Sequence, residues 1–131
     1  HRRLGHQLPP GVVVYEIAGP LFFGAAARAM RVLHTVDPDV RAVILDLRSV
    51  PALDATGLVS LEATVERLTQ AGVVVVLGGL GRQPLRALVR AGWRRRWHTV
   101  VLRRSFDRAV VEAKTRVGGA VGEGENATGA A

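Results

Sequence analysis

The strongest constraint in this sequence is an alternation. Short runs made almost entirely of aliphatic and β-branched residues are each followed by a stretch with helical spacing. Val12–Ala18 (VVVYEIA), Ala42–Leu47 (AVILDL) and Val73–Leu77 (VVVVL) have the length and residue types of strands. The last two lack any polar alternation, which predicts strands buried on both faces. Between them, Leu58, Leu61, Val65 and Leu68 step by three or four. That spacing predicts an amphipathic helix from Asp54 to Gln70, stopped at Ala71-Gly72. Gly24–Leu33 is Ala-rich with apolar residues at helical spacing, and predicts another helix. Pro84 opens a helix over Leu85–Ala91 that Gly92 closes. Thr99–Leu102 reads as a short edge strand, and Ser105 as the N-cap of a last helix, Phe106–Val117. Strand and helix in alternation predict an α/β fold, a small sheet of four or five mixed strands with about four helices. Residues 1–10 read as a lead-in, 11–117 as one domain, and 118–131 as a disordered Gly/Ala-rich tail.

Composition narrows the function. The 131 residues include no cysteine, which excludes a disulfide scaffold, a thiolate zinc site and a catalytic thiol. Hydrophobic residues make up 48%, enough for a core, yet no run approaches the roughly 20 apolar residues of a membrane span. His1, His6, His34 and His98 have no metal-ligand spacing. Gly78-Gly79-Leu80-Gly81 lacks the Lys-Ser/Thr of a phosphate loop. Asp46 and Asp54 lie near one sheet end but do not by themselves form an acid/base pair. No nucleophile arrangement is present, so the chain reads as a binding module and not as an enzyme. No cofactor is implied.

The net charge of +7 is local. Residues 82–108 hold nine arginines and one acid, Asp107, while the rest of the chain is close to neutral. Arg82, Arg86, Arg90 and Arg94 step by four, so one helix would align them. Arg94, Arg95 and Arg96 lie between Trp93 and Trp97. Three uses fit such a segment: a solvated basic face with one tryptophan plugging the sheet edge, a surface for anionic lipid or a transport domain, and a nucleic-acid contact. No nucleic-acid-binding motif accompanies it, so nucleic acid is not the expected partner.

The most informative segment is Val50–Leu58, where a buried strand ends and a helix starts at an acid. Asp54 can accept from the free N–H groups of that helix, and such helix starts also receive anions. The same residues fit a cap and a packing glycine at Gly57. Asp54-Ala55-Thr56-Gly57-Leu58, after Val43–Leu47, resembles the loop of STAS domains. These are small α/β modules of anti-sigma-factor antagonists and of SulP-type (sulfate permease) anion transporters. Gly19-Pro20-Leu21-Phe22-Phe23-Gly24-Ala25-Ala26 is similar to a segment of the transporter branch, with Ala25 where that branch has Asn. The resemblance covers about residues 10–117. It implies a sheet with helices mainly on one side and a cytoplasmic regulatory role at the inner face of the plasma membrane. The parent transporter's membrane domain would be the partner, with Asp54–Leu58 as the binding loop. Some relatives bind nucleotides or acyl carrier protein, but nothing in this sequence specifies such a ligand. In the antagonist branch a serine follows the loop aspartate and is phosphorylated. Here that residue is Ala55, with no hydroxyl, and Thr56 is the substitute acceptor to consider. The alternative reading is a free-standing antagonist or stressosome-like signalling protein. A start at His1 and not Met suits a piece of a longer chain.

Overall fold

Each apolar run forms a strand in the computed structural model, which describes residues 8–18, 38–96 and 100–130, with side chains for 8–17, 38–95 and 100–118. The strands are β1 (Val12–Ala18), β2 (Ala42–Ser49), β3 (Val74–Gly78) and β4 (Val100–Leu102). They form one sheet in the order β1-β2-β3-β4. All three pairings are parallel, aligning Val14 with Ile44, Ile44 with Val76, and Val76 with Val101. The sequence suggested mixed directions; among the described strands there are none. The connections β2 to β3 and β3 to β4 each run through helix, which carries the chain back to the end of the sheet where the previous strand began.

The helices are α1 (Ala55–Gln70), α2 (Arg82–Arg90), α3 (Trp93–Arg96) and α4 (Phe106–Ala130). Period two along each strand divides the core between the sheet's faces. On one face Val43, Leu45, Leu47, Val75 and Leu77 meet Leu61, Val65 and Leu68 of α1, Leu88 of α2 and Trp93 of α3. On the other, Val12, Val14, Ala42, Ile44, Val76 and Val101 meet Phe106, Ala109, Val110, Ala113 and Val117 of α4. Residues Ala42–Leu47 are buried without a break, because helices cover both faces of β2.

Helix ends follow local chemistry. The Ser105 Oγ accepts from the Arg108 N–H at 3.2 Å and caps α4. Helix α2 stops where Gly92 takes φ +82°, a left-handed conformation that turns the chain into α3. The helical backbone of α4 runs to Ala130, past the end at Val117 that the sequence pattern gives. Val117 is the last of its described side chains in the core. The predicted helix over Gly24–Leu33, the Gly19–Ala26 motif and Trp97 lie outside the described residues.

Candidate functional site

The site is the β2–α1 connection and the turn of helix it enters. Val50 and Leu53 are buried and hold the loop down like two pegs. Asp54 is extended at the N-cap, and its Oδ1 accepts from the Gly57 N–H at 2.8 Å. The first turn holds no other acid, so Asp54 supplies the negative charge that this end of the helix favours. Gly57 is buried, and Leu58 is half-buried against the core. Ala55 and Thr56 stand exposed on the outer side. The Thr56 hydroxyl makes no hydrogen bond among the described residues, so the cap belongs to Asp54 alone. One turn on, Val59 is 64% exposed and extends this face with an apolar side chain.

A second side chain fixes the loop. The Gln83 carboxamide accepts from the Leu53 N–H at 2.8 Å and donates to the Leu53 carbonyl at 3.0 Å. It thus pairs with Leu53 as a strand would, and ties the loop to the first turn of α2. Neither Gln83 nor Val59 stands out in the sequence. A glutamine beside Pro84 carries no motif, and a single valine on an amphipathic helix is ordinary.

The two aspartates do not meet as an acid/base pair. Asp46 is 1% exposed on the α4 side of β2, whereas Asp54 caps α1 on the other face. Asp46 is held by Arg48: Nε lies 3.0 and 3.2 Å from its two oxygens, Nη2 lies 2.8 Å from Oδ2, and the Arg48 N–H donates at 3.1 Å. These hydrogen bonds raise the Arg48 pKa above its ordinary value. The guanidinium also sits 4.0 Å above the Phe106 ring, which joins the end of β2 to the start of α4. This cluster is a structural clamp. Among the described residues no three His, Cys, Asp or Glu are placed to hold a metal ion.

The arginine segment divides. Arg82, Arg86 and Arg90 are exposed along α2. The break at Gly92 places Arg94 and Arg95 in the separate turn α3, where both are exposed, so Arg94 does not continue the stripe on one helix. Trp93 is 1% exposed in the core and is not available to a membrane surface or a base. The side chain of Arg96 lies outside those described. Farther on, Arg103 is engaged by Glu112 at 3.5 Å.

Residues 6–109 match the family model of the STAS domain. The chain belongs to the STAS domain family. Solved structures agree with this. A sulfate transporter family protein from Wolinella succinogenes is 34% identical, with a TM-score of 0.76 over 86% of this chain and 92% of that one. The STAS domain of a SulP transporter from Vibrio cholerae is 30% identical, with a TM-score of 0.72 over 86% and 88%. A candidate anti-sigma factor antagonist from Thermotoga maritima shares the fold at 15% identity, with a TM-score of 0.60 over 82% and 95%. No curated protein matches the sequence significantly. In this STAS domain no described helix is long and apolar enough to cross a membrane.

Proposed function

We propose that this STAS domain is the regulatory and interaction module of a SulP-type sulfate or anion transporter, and that it acts by binding, not catalysis. The observation that carries the reading is its similarity, at 34% and 30% identity over 86% of the chain, to a sulfate transporter family protein and to the STAS domain of a SulP transporter. Ala55 adds to it: a side chain without a hydroxyl cannot take the phosphate that the antagonist branch places there. The transport domain is the partner, and the domain works on the cytoplasmic side of the membrane. Its binding surface is the outer side of the capped helix start, where Ala55, Thr56 and Val59 are exposed beside Asp54 and Leu58.

The test is sulfate uptake by cells expressing the complete gene product, with Val59→Asp compared to wild type. Val59 is exposed, so the charge does not enter the core. Uptake should change several-fold while the amount of protein in the membrane stays constant. A complete product without membrane-spanning segments, or uptake indifferent to Val59→Asp and Thr56→Glu, overturns the reading.

A further inference from the structure

We infer that the outer face of α2, continued by α3, is a docking surface for an anionic lipid bilayer. Residues 82–96 contain six arginines and no acid. Among the described residues, none of Arg82, Arg86, Arg90, Arg94 and Arg95 forms an ion pair. The orientation of α2 is fixed by Pro84 and Leu88, which are buried. At about 100° per residue, Arg82, Arg86 and Arg90 fall within an arc of roughly 80° centred opposite that ridge. They therefore point straight away from the core.

Arg90 sits favourably in the last turn, but the rest of the placement works against the helix. Arginines four apart repel one another. Arg82 lies in the first turn, where the helix dipole disfavours a cation, and neither an acid nor a side-chain cap compensates. A face that costs stability in the free domain gains from an external negative surface. The occupant is a bilayer for two reasons. The arginines form a stripe on a convex helix, which suits a continuous field of phosphates. The aromatic platform that single-stranded nucleic acid uses is missing, since Trp93 is in the core. With Trp93 buried, no described aromatic enters the bilayer here, so the contact is electrostatic and salt-sensitive. The inference rests on the transporter reading only in that a transporter would hold this face near the inner leaflet.

The experiment is co-sedimentation of the 131-residue chain with vesicles of phosphatidylcholine, with and without phosphatidylglycerol. Binding should require phosphatidylglycerol and weaken steeply with salt. Each arginine at an anionic surface is worth about fivefold in affinity, so Arg82→Glu with Arg86→Gln and Arg90→Gln should lose at least about a hundredfold. Arg82→Glu alone should raise the thermal midpoint, so lost binding cannot be put down to unfolding. Arg41→Gln and Arg108→Gln, which lie off this face, should bind as wild type. Equal binding to neutral vesicles, equal loss in the two sets of variants, or arginine-dependent retention by duplex DNA in place of vesicles overturns the inference. The uptake experiment decides the transporter reading separately, because sedimentation needs no transport domain.

Discussion

Removing either half of the Asp46–Arg48 pair deletes the same salt bridge, yet the two substitutions should differ widely in cost. Asp46 is 1% exposed and the Arg48 side chain 49% exposed. In Arg48→Met an unbranched apolar side chain replaces the one whose guanidinium lies over the Phe106 ring, and the buried carboxylate retains only the residue-48 N–H at 3.1 Å. Stranding a buried charge costs about 3–5 kcal/mol. In Asp46→Asn the amide keeps the shape and an acceptor for that N–H, while the freed guanidinium is already half in water. That loss is about 1–2 kcal/mol. At roughly 3–4 °C per kcal/mol for a domain of this size, Arg48→Met should lower the thermal midpoint by at least about 10 °C. Urea unfolding followed by tryptophan fluorescence measures both variants, since Trp93 is buried and reports its own exposure. The double variant should recover much of the Arg48→Met loss, because no charge is then left buried. If Asp46→Asn costs as much as Arg48→Met, or Arg48→Met costs less than about 1 kcal/mol, the argument from asymmetric burial is wrong.

Three further predictions test the site and its supports. Asp54→Ala removes the bond to the Gly57 N–H and should cost about 1 kcal/mol by urea unfolding, with faster amide exchange confined to the start of α1. Gln83→Ala leaves the Leu53 N–H and carbonyl without their partner; it should cost about 1–2 kcal/mol and expose the Leu53 amide to exchange. Gly79→Ala should cost more than Gly92→Ala. Both positions have positive φ, worth about 1 kcal/mol for an alanine, but only at Gly79 does the new Cβ collide with Arg48. Equal midpoints for the two alanine variants would show that Arg48 moves aside freely.

The fold was legible wherever one residue's neighbours in sequence are also its reason. Ala42–Leu47 and Val73–Leu77 are apolar on both faces and so announce central strands, and Ser105 announces a helix by its own hydroxyl. The Asp54 cap was legible for the same reason. What remained hidden depends on contacts between distant residues. Gln83 meets Leu53 across 30 positions, and Arg48 meets Phe106 from another element. Trp93 was legible only as one alternative, a tryptophan plugging the sheet edge. Its neighbours Arg94, Arg95 and Arg96 give it the look of a surface residue, but the left-handed Gly92 rotates α3 so that the tryptophan turns inward and its arginine neighbours outward. The uniform strand direction was likewise hidden, because strand direction follows from crossovers and not from residue type.

The two outward faces of this domain share one fastening. Helix α2 has nine residues, too few to be stable alone, so packing must hold it. Its core side rests on Pro84 and Leu88, while its first turn carries Arg82 in an unfavourable field with Gly81 as an uncapped start. The Gln83 side chain, in that same turn, grips Leu53 at 2.8 and 3.0 Å. Leu53 immediately precedes Asp54, the residue that caps α1. The first turn of the arginine helix and the Asp54 loop are therefore joined by two hydrogen bonds. Gln83→Ala would therefore free the start of the arginine helix from the Asp54 loop while leaving the core clusters on both sheet faces intact.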